Sequence, residues 1–348
     1  MDEAERAIWG LLQPGPMKNY IWDEEAQKVL DKLETAPVVL AGLPKTGTTS
    51  LFISLEGKAR VLNIDTGFEC YREGDEAEQK LVLDRALIDV AKYAGLALGQ
   101  RTPIRALGES EYLVEIDEAT GLGDFALAYL NSESTHNRRI VARLHKSRKL
   151  QEQLGLLSNF QVHYMPSMTR EQMEAMIHIN MQAHNSKLTF TDEALEMVFR
   201  STCHPYEQCI LGALAVFEGV DGSRVTAESV EAALQRVDEA MFYQGGRSED
   251  RDFLRYNIAS KMRDVVCTYP ARLTLSENMF LLGCIDGEHA GDGAEQPEIA
   301  DELERCHLVE KEDEVYAVPS ALVRALYRSG YKKFIENGTF KPPWLGYL

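Results

Sequence analysis

Residues 40–52 read LAGLPKTGTTSLF, an apolar run followed by closely spaced glycines and hydroxyls. A strand, a glycine-containing turn and a helix start point several backbone N–H groups at one spot, and an anionic phosphate seats there. In the pattern G-x-x-x-x-G-K-[ST] the lysine brings a positive charge to the β- and γ-phosphates, and the next hydroxyl holds magnesium. Gly42 and Gly47 supply the two glycines, Thr46 an added hydroxyl and Thr49 the magnesium hydroxyl, but Thr48 stands where the lysine belongs. A charge-assisted hydrogen bond contributes roughly 1.5–3 kcal/mol and a neutral one about half that. The shortfall falls hardest on a transition state that gathers phosphate charge. Lys45 lies three places early, within reach of phosphates only by folding back over the loop.

Further on, LVEIDEA (113–119) ends an apolar strand in Asp117 and Glu118. An acidic pair there holds magnesium and orients an attacking water, which assigns Asp117 to a metal and Glu118 to a residual base. The bland alternative is an acidic helix N-terminus. Glu115 has no evident partner inside a central parallel strand. NRRIVARLHKSRKLQ (137–151) then gathers Arg138, Arg139, Arg143, His145, Lys146, Arg148 and Lys149. Its second half follows a strand and is expected on the same sheet edge as Gly42–Thr49, as a phosphate or partner contact or as a solvated loop. Arg143, within the strand, calls for an anion, because a buried guanidinium needs one.

The elements that position these residues are legible as pattern. PVVLAG (37–42), RVLNID (60–65), YLVEIDE (112–118), RIVARL (139–144) and FQVHYM (160–165) are strand candidates, and helical stretches such as 79–97 separate them. That alternation predicts a parallel sheet with crossover helices and a ligand edge at the strands' carboxyl ends. From Met168 the pattern is helical. Thr169 with Gln172, Thr191 and Thr226 read as N-caps, stapled by the pairs Met168–Met173, Phe190–Leu195 and Val225–Val230. Beyond 244–251 come helices near 252–268 and 275–285, an acidic glycine-rich insertion, a helix in IADELERCHLV and a turn and strand in EKEDEVYAV. Helix, helix, helix, hairpin predicts a winged helix. Pro342 and Pro343 exclude regular structure in the tail, whose Phe340, Trp344 and Tyr347 are expected to dock on the protein's own surface.

In that order the chain resembles the STAND branch of the AAA+ ATPases, closest to the archaeal-type members ending in a winged helix, from about Tyr20 to Tyr331. YIWDEEAQKVLDKL (20–33) stands at the family's adenine-contacting motif, LTFTDEALEMVFRSTCHPYEQCILGAL (188–214) resembles the lid segment with its Gly-x-Pro motif, and VYAVPSALVRALYR (315–328) the strand and helix after the wing. The resemblance implies an α/β P-loop NTPase sheet followed by a helical lid and a winged helix. Its boundaries are an N-terminal helical segment (1–35), the α/β domain (36–167), the lid (168–245), the winged helix (246–334) and a docking tail (335–348). It implies ATP or ADP with magnesium as ligand, Pro205 as a lid contact to nucleotide, and a sensor position near Arg143. Four positions depart from the family: Trp22 for Gly, Asp23 for Arg, Thr48 for the lysine, and Cys203 for the Gly before His204 and Pro205. Together they imply a regulatory protein that hydrolyses ATP poorly or not at all. An active ATPase of the same fold stays open.

GLPKTGTTSLF also resembles the sulfotransferase loop Pro-Lys-x-Gly-Thr-Thr, with Lys45 at that loop's lysine and no lysine after the glycine. That reading implies PAPS as cofactor, with Arg139 and Ser147 as the pair for its 3′-phosphate.

Of 348 residues 45% are hydrophobic and 26% charged, with a net charge of −18, ordinary for a globular protein and adverse to generic nucleic-acid binding. Nine acids between Glu295 and Glu314 disfavour DNA at the winged helix, leaving 138–149 as the alternative DNA patch. A protein partner or homo-oligomer is favoured. No apolar run reaches a membrane span and the start lacks a basic leader, so a cytoplasmic location is expected. Cys203, His204 and Cys209 lack the second half of a zinc site, and all six cysteines are expected reduced.

Overall fold

The computed structural model describes the chain except for residues 1, 14–20, 67–73, 100, 109, 136–137, 148, 242, 244–249, 287–296, 313–314 and 329–348. The expectations for Arg148 and for the docking tail lie outside the described residues, as does most of the 286–298 insertion.

The chain divides into two compact units, one of residues 17–44 and 48–165, the other of residues 1–16, 45–47 and 166–348. The order of elements is α1 (Glu3–Leu12), α2 (Asp23–Leu33), β1 (Val38–Gly42), α3 (Thr48–Glu56), β2 (Arg60–Asp65), α4 (Glu76–Tyr93), α5 (Pro103–Gly108), β3 (Tyr112–Asp117), α6 (Asp124–Ser134), β4 (Ile140–His145), α7 (Leu150–Leu156) and β5 (Gln161–Tyr164). The five strands are parallel and ordered β2-β3-β4-β1-β5. Every residue of β1 and β4 is buried, as expected of central strands covered on both faces. The edge strands β2 and β5 mix buried, half-buried and exposed positions. One apolar core (Ile64, Leu83, Leu87, Ile116, Leu127 and Leu130 among others) welds α4 and α6 to the sheet. Trp22, at the head of α2, is fully buried, so that position supplies core volume.

The other unit holds α1 and the helices α8 (Arg170–Ala183), α9 (Asp192–Arg200), α10 (Pro205–Glu218), α11 (Ala227–Gln235) and α12 (Val237–Met241). A short parallel pair, β6 (Thr189–Phe190) and β7 (Arg224–Val225), ties them. Thr169 forms a capping box with Gln172 and Thr191 accepts from the Ala194 N–H, whereas at Thr226 it is the Ser229 hydroxyl that accepts, from the Thr226 N–H at 3.3 Å. α10 is buried around nearly its whole circumference, the mark of a core helix. Gly10 lets α1 approach the backbone of α8 closely, since a Cβ there would lie 2.4 Å from the Asn180 carbonyl oxygen. The remainder is α13 (Asp250–Arg272), α14 (Leu275–Asp286), α15 (Pro297–Arg305), the antiparallel hairpin β8 (Glu310–Glu312) and β9 (Val315–Ala317), and α16 (Ala321–Leu326). The expected succession of three helices and a hairpin is present.

Candidate functional site: a sheet edge occupied by an arginine

Because β4 lies between β1 and β3, their carboxyl ends come side by side. Gly42 pairs in register with His145 and Asp65 with Asp117, and the Lys146 N–H donates to the Gly42 carbonyl at 2.7 Å. The loop after β1 turns through positive φ at Lys45 (72°) and Gly47 (98°); at Gly47 the absence of a Cβ makes this conformation free of strain. The helix α3 opens at Thr48, directly after Gly47. Gly57 follows its end and donates to the Ile53 carbonyl at 3.2 Å. Thr46 and Thr48 are buried.

The anion that Arg143 required is Asp117. Arg143 Nη2 makes a direct ion pair with Asp117 Oδ1, while Nη1 donates to Thr49 Oγ1 at 3.0 Å and lies 3.5 Å from Thr48 Oγ1. The guanidinium carbon stands 5.7 Å from the Phe52 ring centroid on α3, in cation–π range. The Arg143 side chain is 7% exposed. Burial lowers its pKa, opposed by the charges of Glu115 and Asp65, and a guanidinium so far above neutral pH stays charged.

Glu118 takes up a left-handed conformation (φ 51°) directly after β3. Its Oε1 is 2.9 Å from His145 Nε2 and 3.5 Å from Arg143 Nη2. Thr66, after β2, clamps this corner by donating its N–H and hydroxyl to the Asp117 carbonyl at 3.0 and 2.8 Å, and its hydroxyl reaches the Glu118 carbonyl at 2.9 Å. Glu115, which lacked an evident partner in sequence, has one: it stands across from Asn63, whose side chain hydrogen-bonds it. Burial nevertheless pushes its pKa up to about 7, against the opposing effects of Asn63 and Arg143.

The structure thus brings Thr48, Thr49, Asp117, Glu118 and Arg143 together around the end of β1, and adds His145 as a contact to Glu118. Sequence reasoning had counted His145 only within the basic stretch; its place at the carboxyl end of a central strand was the available signal. Lys45, which groups with the C-terminal unit, lies 3.8 Å from Asp264 of α13 and 5.2 Å from the Tyr206 ring centroid. Pro205 is the first residue of α10 in that unit.

The basic stretch is not a continuous patch. Arg138 and Arg139 precede β4 and donate to the carbonyls of Glu34 (3.1 Å) and Glu111 (2.8 Å), whereas Lys146 follows the strand and is buried. The sulfotransferase pairing fails on the same geometry. Arg139 and Ser147 flank opposite ends of the six-residue strand β4, which at about 3.3 Å per residue separates them by roughly 20 Å, too far for one phosphate.

Among the described residues no group of three or more His, Cys, Asp or Glu is arranged to hold a metal. Cys203, His204 and Cys209 are core residues, and among the described residues Cys203, Cys209, Cys284 and Cys306 form no disulfide. A magnesium ion on Thr49 Oγ1 and Asp117 would need those oxygens at about 2.0–2.1 Å. The Arg143 guanidinium contacts both oxygens, so the residues present do not fit the ion.

No family model matches the chain, and no curated protein does. Among solved structures, a Walker-type ATPase of Pyrococcus abyssi superposes with a TM-score of 0.54 at 15% identity, covering 91% of this chain and 99% of that one. A point variant of Thermotoga maritima RuvB (TM-score 0.44, 16% identity, 95% and 100% covered) and Cdc6p of Pyrobaculum aerophilum (0.39, 14%, 94% and 98%) align more loosely. This chain has an AAA+-like P-loop NTPase fold. No described helix is long and apolar enough to cross a membrane.

Proposed function

We propose that this is a regulatory protein of the AAA+/STAND type with a degenerate phosphate loop, hydrolysing ATP poorly or not at all and acting through association with a protein partner or further copies of itself. In this reading residues 168–245 form the lid, 246–334 a winged helix, and Gly42, Thr46 and Gly47 the phosphate cradle, with Lys45 of the same loop as a further contact.

One observation carries the proposal: the pair expected to hold magnesium and activate water, Asp117 and Glu118, is bonded within the protein to Arg143 and His145. Thr48 beside them has no charge to offer a γ-phosphate. A catalytic site for phosphoryl transfer works by stabilising developing charge with groups held ready for it, and here those groups are paired with one another. The acidic residues of α15 and the hairpin, Glu298, Asp301, Glu304 and Glu310 among them, would be repelled by phosphates, so the winged helix is read as a protein-docking module.

The test is turnover by the purified full chain with ATP and magnesium, alongside calorimetry with ATP, ADP and PAP. Hydrolysis at the level of the buffer blank is expected, and robust magnesium-dependent hydrolysis would overturn the proposal. Binding of PAP in preference to ADP would reopen the sulfotransferase reading despite the separation of Arg139 from Ser147.

A further inference from the structure

We propose that Arg143 is a resident cation that takes the place of the divalent metal at this phosphate loop, so that the site excludes magnesium and any nucleotide it holds is bound without one. The inference rests on the reading of Gly42–Thr49 as a phosphate loop, but concerns the ion rather than turnover.

In loops of this pattern the threonine hydroxyl and the strand-end aspartate are the protein's two oxygen ligands to magnesium. Arg143 Nη1 stands 3.0 Å from the first, Thr49 Oγ1, and Nη2 is in contact with the second, Asp117 Oδ1. The planar fork of a guanidinium presents parallel donors with a fixed separation. One side chain therefore satisfies both oxygens, and Nη2 also lies 3.5 Å from Glu118 Oε1. A divalent ion entering this space would meet a positive charge within contact distance and would have to strip Asp117 of its partner. Arg143 has no easy way out. It projects from a strand buried along its whole length, its side chain is 7% exposed, and Phe52 flanks the guanidinium. Leaving the carboxylate would strand a buried charge.

The experiment is Mn2+ binding to the full chain, read by electron paramagnetic resonance and titration calorimetry, without nucleotide. The wild type is expected to hold no Mn2+ at this site. Arg143→Met, which keeps length and removes charge, is expected to gain about tenfold or more in Mn2+ affinity. Arg143→Lys should gain much less, and adding Thr49→Ala to Arg143→Met should abolish the gain. Equal Mn2+ binding by wild type and Arg143→Met, or none by a folded Arg143→Met, overturns the proposal. Should Arg143→Met fail to fold, thermal melts of the wild type in MgCl2 and in EDTA at matched ionic strength decide the matter: coincident melts support it, and a saturable stabilisation by Mg2+ that Asp117→Asn removes overturns it. Hydrolysis by the wild type would defeat the proposed function, whereas a saturable metal site in the wild type would defeat only this inference.

Discussion

Arg143 on β4 and Asp117 at the end of β3 form a direct ion pair across adjacent strands, at the edge where β1 gives way to the Gly42–Thr49 loop. The pair ties the sheet's chemistry to its stability. Removing one partner leaves the other charged and poorly hydrated, at a cost of about 3 kcal/mol, toward the low end because the Asp117 side chain is 23% exposed. Asp117→Asn should lower the unfolding free energy obtained from urea melts by that measure, and Arg143→Met/Asp117→Asn should lose less than the two single changes together.

Restoring the missing lysine should not by itself restore hydrolysis. Thr48 is buried with its Oγ1 3.5 Å from Arg143 Nη1, so Thr48→Lys sets two cations against each other. The expected outcome is a less stable protein without turnover. Thr48→Lys combined with Arg143→Asn relieves the repulsion, and any magnesium-dependent hydrolysis should appear only in that double variant, measured by phosphate release.

The junction of α1 with α8 depends on a missing side chain. A Cβ at Gly10 would come within 2.4 Å of the Asn180 carbonyl oxygen, a backbone atom that cannot swing aside. Gly10→Val should therefore destabilise by about 1–3 kcal/mol, read in denaturant unfolding of the full chain. Gly155→Ala, where a Cβ meets nothing within 4 Å, is the control.

Acid should weaken the C-terminal unit through His204. The ring is fully buried, edge-on to Tyr269 at 5.5 Å, and burial, then the nearby His307, lowers its pKa to about 3. An unfolded chain protonates the same imidazole near pH 6.5. Between those values the unfolded state binds more protons, so stability is fully present above about pH 6.5 and falls as the pH drops toward 3, by up to about 1.4 kcal/mol per unit. His204→Phe keeps an aromatic ring there and removes no side-chain cap from α10. It should flatten that part of the stability–pH curve, and an unchanged slope would argue against His204 as its source.

Local patterns were legible because their causes are local. The Thr169 box, the Thr191 cap and the glycine at the phosphate loop follow from hydrogen bonds and backbone sterics within a few residues. The five strands could be read from runs of β-branched and apolar residues. Glu115 and Arg143 stood out as charges in buried strands, but their partners, Asn63 and Asp117, could not be named. Partnership there depends on which strand neighbours which. The basic stretch could be divided, because RIVARL reads as a strand that leaves Arg138 and Arg139 at its start and Lys146 beyond its end.

The amino-acid sequence by itself determined the alternation of strands and helices, the helix starts and a phosphate loop without its lysine. Only the tertiary structure decided which groups Arg143 meets. Strand order in a parallel sheet is set by non-local packing of crossover helices, and placing β4 between β1 and β3 is what brings the Arg143 charge onto Thr49 and Asp117.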